Sequence, residues 1–484
     1  MNRAGALRRL SAETFDVLII GGGATGLGCA LDAAARGYRT GLIEAYDFAK
    51  GTSSRSTKLV HGGVRYLQQG NIALVKEALR ERARLHRNAP HLVQELRFVV
   101  PAYNALELGY LWAGLKLYDA LAGKSPFRRS SALSVRDAVA HIGTLNPHRL
   151  KGAVAYSDAQ FDDARLAIAL AQTAHERGAA VANYVRADGL RAASAGLRAV
   201  DATDTETGER FTIRAKAIVN AAGIFADAVR RMDDPAAKPL LTFSRGSHIV
   251  LPAHVLGGSQ NALLVPKTAD GRVLFAIPWH GFTLAGTTDV ASGEAEIEPR
   301  STGEEIAFIL GALNAYLAHP AAENDVLSTW AGLRPLLDRS ATGTAQLSRE
   351  HAIEISRSGL VTITGGKWTT YRKMAEDAVD AAASSANLAL APSPTADLPL
   401  SQSDAPHALP AADRVPYYAR EEMARTVEDI LARRTRTLFV DAQSAAEQAP
   451  GVAAALAQEL GRGAAWQSDQ VRDFNALARA YLQK

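Results

Sequence analysis

Short apolar runs alternate with helix-forming stretches near the start of the chain, an order that predicts strands and helices in turn. The run VLII at 17–20 is too short for a core helix and rich in β-branched residues, so we expect a buried parallel strand. Residues 30–35 are alanine-rich and predict a helix. A second apolar run, TGLI at 40–43, predicts the next strand.

Three glycines, Gly21, Gly23 and Gly26, join the first strand to the helix with G-x-G-x-x-G spacing. Glycine at these places permits a tight turn, lets a pyrophosphate approach the backbone and lets the helix pack closely on the strand. The N–H groups at the helix start then face the phosphates. Glu44 ends the second strand 18 residues beyond Gly26, where a carboxylate accepts hydrogen bonds from a ribose 2′-OH. The pattern predicts a dinucleotide site without a 2′-phosphate, and it does not separate NAD from FAD.

The segment from 51 to 67, GTSSRSTKLVHGGVRYL, is polar and rich in glycine and small hydroxyl residues. The third strand of an NAD-binding domain would be apolar. This segment is better suited to running beside a large polar ligand and donating hydrogen bonds to it. An ordinary solvated loop is the alternative.

The rest of the chain shows a mixed pattern. Helical periodicity predicts helices at 72–91 and 301–317, and alternation around Thr207-Gly208 predicts a hairpin over 198–218. Residues 218–223 predict a strand that ends in a glycine turn. The strand-rich stretch 247–289 is expected to form an antiparallel sheet over a substrate pocket.

The segment 104–123 is apolar and aromatic, and Lys124, Arg128 and Arg129 follow it. Such a segment can lie in a bilayer interface, with its aromatic rings at headgroup depth and the basic residues on anionic lipid. A helix buried against the substrate domain is the other interpretation, and the residues leave both open.

Composition narrows the class of protein. With 484 residues, 47% hydrophobic and 21% charged, the chain can hold two or three globular domains. A net charge of +4 does not indicate a nucleic-acid partner. The single cysteine, Cys29, excludes an internal disulfide and fits a reducing cytoplasm. No apolar run is long enough for a transmembrane helix, and the basic N-terminal stretch 1–15 lacks the apolar core of a secretory signal, so we expect a frayed tail there. No His, Cys or carboxylate cluster has metal-ligand spacing, so no metal is expected.

Four residues stand in local contexts that suit a binding cleft. Arg65, Arg334 and Lys367 each follow a glycine-containing turn, from which a side chain can reach into a cleft. Arginine and lysine suit phosphate, although most of the 54 Lys and Arg residues must be surface charges, and that is also the default for these three. His248 lies between small residues at the start of a strand and is the favoured general base.

Several long strings resemble the FAD-dependent glycerol-3-phosphate dehydrogenases, the respiratory flavoenzymes that pass electrons to quinone. They run in the family's order from 15 to about 383, and the C-terminal tail matches more weakly. The strings are FDVLIIGGGATGLG, TSSRSTKLVHGGVRYL, YSDAQFDDARL, IVNAAGIFAD, GSHIVLP, AGTTD, GLRPLL and GGKWTTYRKMAED.

The resemblance implies an α/β fold in which a Rossmann-like FAD-binding domain of the glutathione-reductase/D-amino-acid-oxidase type is interleaved with an antiparallel-sheet substrate domain. The FAD-binding domain is expected at 1–100, 151–240 and 330–390, and the substrate-binding or cap domain at 101–150 and 241–329. A proline-rich linker at 391–416 and a small helical region at 417–484 would follow.

The resemblance also implies the activity. The expected reaction is oxidation of sn-glycerol 3-phosphate to dihydroxyacetone phosphate, with a hydride passing from C2 to N5 of non-covalent FAD and electrons continuing to a membrane quinone. The expected partners are that substrate, the quinone and an anionic lipid surface; a homodimer is left open and nucleic acid is not expected. The expected location is the inner face of the cytoplasmic membrane, as a peripheral protein. An oxidase using O₂, an amine or amino-acid oxidoreductase and a non-catalytic flavin-binding membrane protein are the alternatives.

The resemblance assigns roles to individual residues. His248, Arg334 and Lys367 would be catalytic, and Arg65, Tyr66, Thr288 and Asp289 would bind substrate, with Asp289 orienting a pocket cation or His248. The expected cofactor-binding residues are Gly21, Gly23, Ala24, Thr25, Gly26, Glu44, Thr52, Ser53, Ser54, Thr57, Lys58, Leu59, His61, Gly62, Gly63, Val185, Ala222, Gly223, Gly366, Lys367 and Thr369.

Overall fold

The computed structural model describes residues 1–63, 71–337, 351–402 and 409–482. The strands are β1 (Thr14–Ile20), β2 (Thr40–Ile43), β3 (Leu59–Val60), β4 (Val93–Ala102), β5 (Ser131–Leu133), β6 (Gly152–Phe161), β7 (Ala180–Ala182), β8 (Val185–Ala192), β9 (Arg198–Asp204), β10 (Arg210–Asn220), β11 (Leu241–Pro252), β12 (Ala262–Val265), β13 (Leu274–Trp279), β14 (Phe282–Gly286), β15 (Val290–Ser292), β16 (Ser328–Leu337), β17 (His351–Ile355) and β18 (Leu360–Gly365). The α-helices are α1 (Arg3–Ala12), α2 (Ala24–Ala35), α3 (Ile72–Asn88), α4 (Ala105–Ala122), α5 (Val135–His141), α6 (Asp163–Glu176), α7 (Ala226–Asp233), α8 (Gly303–Asn314), α9 (Tyr371–Ser385), α10 (Ala411–Glu421), α11 (Thr437–Val440), α12 (Ala442–Leu460) and α13 (Ala464–Arg479).

The first sheet has a parallel core in the order β18-β10-β1-β2-β7. The predicted parallel strands at 17–20 and 40–43 are confirmed as β1 and β2. Ile20 pairs with both Ile43 and Asn220, so these three strands end side by side. The glycine turn after β1, the carboxylate after β2 and the Ala221–Gly223 turn after β10 therefore lie at one edge of the sheet, which is where ligands bind in open α/β folds.

Helices α2, α6 and α9 cover this sheet and build the largest hydrophobic core. Small residues let them approach closely: a Cβ added to Gly28 would lie 2.9 Å from the ring of Tyr371. The predicted helices at 72–91 and 301–317 are confirmed as α3 and α8. Helix α3 ends early, at Asn88, because Pro90 disfavours helical backbone in the residue before it.

The second sheet is mostly antiparallel and contains β3 to β6 and β11 to β16. Its longest pairings are β4 with β6 and β11 with β16. Strands β3, β4, β6 and β16 pair in this second sheet, although most of their residues lie in ranges predicted for the FAD-binding domain. Local alternation predicts a strand but not which sheet it joins, because that depends on pairing between distant segments.

The C-terminal region is helical, as expected, and comprises α10 to α13 with a π-helical turn at Asp429–Arg434. The end of the predicted proline-rich linker is already helical, since α10 begins at Ala411 and contains Pro416. Pro416 is the sixth residue of α10, and its missing N–H removes the helical hydrogen bond to the Ala412 carbonyl.

The expectation of a frayed N-terminal tail is wrong. Residues 3–12 form helix α1, whose Leu10 is buried, and the Arg3 guanidinium contacts the Asp204 carboxylate at 2.7 Å. Its helical apolar face packs on the edge of the first sheet. Among the described residues, no helix is both long and apolar enough to cross a membrane.

Candidate active site

A cavity of about 400 Å³ opens between the two sheets, within the range of small-molecule sites. Most of the predicted site residues line it. They are Ala24, Thr25, Thr52, Ser53, Thr57, Leu59, His61, Gly63, Gly223, His248, Thr288, Asp289, Arg334, Gly366, Lys367 and Thr369.

Other predicted site residues lie beside the cavity or away from it. Gly21, Gly23, Gly26, Glu44 and Ala222 form the adjoining turns at the edge of the first sheet. Ser54, Lys58, Gly62 and Val185 make contacts within the protein instead. Arg65 and Tyr66 lie outside the described residues, so their predicted roles stay predictions.

The glycine turn has the close packing that its spacing predicts. Gly21 has φ +117°, and a Cβ there would lie 2.5 Å from the carbonyl oxygen of Ala221. A Cβ on Gly26 would overlap the carbonyl oxygen of Gly21, and one on Gly23 would lie 2.9 Å from Oγ of Ser53. These residues cradle a space at the start of α2 that suits the pyrophosphate of a dinucleotide.

Glu44 is held rigidly at the end of β2. Its carboxylate accepts hydrogen bonds from the backbone N–H of Gly22 at 2.6 Å and of Tyr46 at 2.8 Å. Each carboxylate oxygen has a further lone pair for a ribose hydroxyl. The backbone N–H of Val185 donates to the Glu44 carbonyl, so the start of β8 supports this turn.

The polar segment between β2 and β3 connects the cofactor turn with the second sheet. The Ser53 hydroxyl accepts from the N–H of Ala24 at 2.9 Å, and the Ser53 carbonyl accepts from the indole of Trp368 at 2.8 Å. Further along, the Thr57 hydroxyl shares a hydrogen bond of 2.9 Å with Nε2 of His248. One segment thus touches both the start of α2 and the proposed base.

Lys58, Ser54 and Gly62 have structural contacts. The Lys58 ammonium is buried, donating at 2.7 Å to both the Ser54 carbonyl and the Asp163 carboxylate. Burial lowers its pKa to about 7, against the opposing effect of Asp163. The N–H of Gly62 donates to the Tyr118 hydroxyl.

Two paired strands present the reactive side chains. On β11 and β16, His248 pairs with Trp330, Gly246 with Gly332, and Ser244 with Arg334, so alternate residues share one face. The glycine pair in the middle leaves room, because a Cβ on Gly246 would overlap the Arg334 guanidinium.

His248 is buried and stacks on Trp330 with ring centroids 4.1 Å apart. Burial lowers its pKa well below the usual 6.5, and the positive charges of Lys58 and Arg334 lower it further. The imidazole is therefore neutral at pH 7, the form that accepts a proton.

Arg334 and Arg272 both approach the Asp289 carboxylate, at 3.9 and 3.4 Å. Arg334 also donates to the Thr288 carbonyl and the Thr287 hydroxyl. The Thr288 hydroxyl itself donates to Glu305 at 2.8 Å, so its proton is already committed. Sequence reasoning missed Arg272, Thr287 and Trp368; the family strings AGTTD and GGKWTTYRKMAED contain Thr287 and Trp368, whereas no signal pointed to Arg272.

The loop after β18 completes the cavity. Gly366 has φ +72°, and Lys367 and Thr369 line the cavity immediately before α9. A 3₁₀ turn at Trp368–Thr370 leads directly into α9. The positive end of α9 therefore lies beside the cavity, where it can stabilise negative charge.

Helix α4 has a buried face, as the second interpretation of 104–123 predicts, and an exposed face; the bilayer interpretation stays a prediction. Leu115 and Tyr118 are buried, and Leu111 and Leu115 line the cavity. Leu106 and Tyr110 are 88% and 61% exposed. Within the described ranges, no group of three or more His, Cys, Asp or Glu side chains is placed to hold a metal.

Comparison with known proteins agrees with this arrangement. Residues 16–372 match the family model described as FAD dependent oxidoreductase, and residues 371–470 match the C-terminal domain of alpha-glycerophosphate oxidase. The chain belongs to the FAD-dependent oxidoreductases, and the glycine turn and Glu44 fit that cofactor.

Similarity to individual proteins narrows the class. The chain is 39% identical over 540 residues to the mitochondrial glycerol-3-phosphate dehydrogenase of Homo sapiens, covering 98% of this chain and 74% of the relative. The mitochondrial enzyme of Arabidopsis thaliana is 46% identical over 392 residues, covering 78% of this chain and 62% of the relative. The structure of glycerol-3-phosphate dehydrogenase from Bacillus halodurans complexed with FAD superposes with a TM-score of 0.81 at 30% identity, covering 99% and 98% of the two chains. Within its class, the chain belongs to the FAD-dependent glycerol-3-phosphate dehydrogenases.

Proposed function

We propose that this protein oxidises sn-glycerol 3-phosphate to dihydroxyacetone phosphate and passes the electrons to a membrane quinone. The observation that carries the proposal is the shared face of β11 and β16, from which His248 and Arg334 reach a cavity that the glycine-rich cofactor segments also line. FAD, when bound, supplies the acceptor for the C2 hydride at its N5 atom.

Positive charge at one part of the cavity supports a phosphate-bearing substrate. Arg334 offers a fixed fork of donors, which matches phosphate oxygens, and Arg272 lies across Asp289 from it. Lys367 adds a point charge from the loop before α9. We propose that the phosphate takes over part of the pairing that Asp289 now provides, with Arg65 and Tyr66 as further predicted contacts.

His248 is the proposed acceptor of the substrate hydroxyl proton. Its neutral imidazole has a lone pair at pH 7, and the hydrogen bond to Thr57 fixes the position of Nε2. A bound phosphate dianion would offset the positive charge of Arg334 and so raise the pKa of His248. The base would then be stronger in the substrate complex than in the free enzyme, in keeping with its task.

The position of helix α4 favours an apolar electron acceptor at a membrane surface. Its inner face reaches the cavity through Leu111 and Leu115, and its outer face exposes Leu106 and Tyr110. We propose that this outer face docks on anionic lipid at the inner side of the cytoplasmic membrane, as an interfacial helix does. A quinone in the bilayer would then lie close to the cavity.

An anaerobic reduction experiment tests the proposal. Glycerol 3-phosphate should bleach the flavin colour of the purified protein without oxygen, whereas glycerol, which lacks the phosphate, should not. Reoxidation by a soluble quinone faster than by O₂ supports the dehydrogenase. Rapid peroxide release in air would favour the oxidase instead, and absence of bleaching would refute catalysis on this substrate.

A further inference from the structure

The segment between β2 and β3, residues 44–58, has one side on the cavity and another on the C-terminal region. Thr52, Ser53 and Thr57 line the cavity. Asp47 and the Ser54 carbonyl point the other way. They meet three buried arginines from a short stretch of the C-terminal region, Arg433, Arg434 and Arg436.

The first anchor is Asp47, three residues after Glu44. Its buried carboxylate accepts from Nε of Arg433 at 2.6 Å and from both terminal nitrogens of Arg434 at 2.6 and 2.9 Å. Lys50, in the same segment, contacts Glu428 at 2.7 Å, and Glu428 also pairs with Arg433. Because Asp47 and Arg434 are both buried and their contact is bidentate, they fix the backbone just after Glu44, the predicted ribose-binding residue.

The second anchor is at Ser54, inside the hydroxyl-rich part. Nη2 of Arg436 donates to the Ser54 carbonyl at 2.9 Å and to the Asp163 carboxylate at 3.0 Å. Asp163 also accepts from the N–H and hydroxyl of Ser56 and from Lys58. The Arg436 guanidinium lies over the ring of Phe439, which keeps it in place.

We propose that Arg433, Arg434 and Arg436 act as a clamp that holds the 44–58 segment in its FAD-binding conformation, so that the C-terminal region controls how tightly the cofactor is retained. The inference rests on the prediction that Glu44, Thr52, Ser53 and Thr57 contact FAD.

The physical reason is preorganisation. Buried ion pairs add little net stability but fix groups in one arrangement, a role the geometry gives to these arginines. A segment that is already ordered spends no binding free energy on ordering, whereas ordering one backbone residue on binding weakens affinity by roughly five- to thirtyfold. Loss of one anchor that frees about one backbone residue should therefore weaken FAD binding, and speed FAD release, by roughly five- to thirtyfold.

The test uses the holoenzyme and the variants Arg434→Met and Arg436→Met. Neither variant leaves a buried carboxylate unpaired, because Asp47 still pairs with Arg433 and Asp163 still pairs with Lys58. The matched control is Arg425→Met, which removes a contact between the C-terminal region and Glu206, in the turn between β9 and β10, without touching the 44–58 segment. Glu206 still pairs with Arg3 and Arg462. Flavin fluorescence gives the rate of FAD release, and thermal unfolding of the FAD-free proteins gives stability.

The clamp variants should release FAD faster, and the control should release it at the native rate even where its unfolding temperature falls. Equal release by native and clamp variants, or equally fast release by the control, would overturn the proposal. Arg434→Lys and Arg436→Lys, which keep the charge but lose the fork, provide the same comparison if the methionine variants do not fold. Glu44→Ala distinguishes failure of the clamp proposal from failure of the cofactor assignment. If both the clamp variants and Glu44→Ala retain FAD normally, the assignment of the 44–58 segment to FAD has failed rather than the clamp.

Discussion

Replacing Gly21 with alanine should damage the cofactor turn more than its unusual backbone angle alone explains. Gly21 has φ +117°, and the new Cβ would meet three backbone atoms of the neighbouring turn: the Ala221 oxygen at 2.5 Å, its carbonyl carbon at 2.7 Å and the Ala222 Cα at 3.0 Å. Backbone cannot rotate away as a side chain can. We therefore expect two separate costs.

The conformational cost of a non-glycine residue here is about 1–3 kcal/mol. The steric cost of forcing a methyl group into packed surroundings is about 1–3 kcal/mol more. Gly37→Ala isolates the first cost, because Gly37 also has positive φ (+89°) but nothing lies within 4 Å of its added Cβ. Gly114→Ala, in helix α4 with open space around it, should be stabilising by about 0.5–1 kcal/mol.

The assay is thermal or urea unfolding of the three FAD-free variants, together with the flavin content of each as purified. Gly21→Ala should lose about 2–6 kcal/mol of unfolding free energy and most of its FAD, because the strand end and the Ala221 turn must separate. Gly37→Ala should lose only the smaller amount and keep its FAD. A Gly21→Ala protein as stable as Gly37→Ala and fully loaded with flavin would refute the close approach of the two turns.

Three further predictions concern the site and the surface. Arg334→Ala should lower kcat/KM for glycerol 3-phosphate by an amount that corresponds to about 2–4 kcal/mol of lost transition-state stabilisation, while the flavin content stays native. Arg334→Lys should recover part of the loss. Unchanged kcat/KM in steady-state assays would exclude Arg334 from the phosphate contact. Because the pKa of His248 is lowered, kcat/KM should rise with pH through an apparent pKa below 6.5 and be flat above it. The apparent pKa in the pH profile of kcat should be higher, because it reports the substrate complex. A break above 6.5 in kcat/KM that depends on His248 would contradict the burial argument. Binding of the protein to anionic liposomes should weaken as the salt concentration rises, and it should weaken further in the double variant Leu106→Glu/Tyr110→Glu, because both side chains are exposed. Equal sedimentation of variant and native protein with the liposomes would exclude this face of α4. Leu115 is not a suitable position for the test because it is buried.

The sequence by itself determined the cofactor turn. Gly21, Gly26 and Glu44 lie within a stretch of 24 residues, and both their spacing and the strands around them are local properties of the chain. Family strings added the activity class and pointed to His248 and Arg334. The same strings held Trp368, but their order alone did not show that its indole reaches Ser53.

Only the tertiary structure decided which segments share a sheet and which charges meet. Strands β4, β6 and β16 join the second sheet through pairings with distant segments, so local alternation could not assign them. The sequence around Arg272 gives no sign of a functional role, yet the fold brings its guanidinium to the Asp289 carboxylate. The buried arginines of the C-terminal region meet Asp47 almost 400 residues earlier in the chain. The pKa of His248 likewise depends on burial and on Lys58 and Arg334, none of which a local sequence window contains, because electrostatic interactions act through space rather than along the chain.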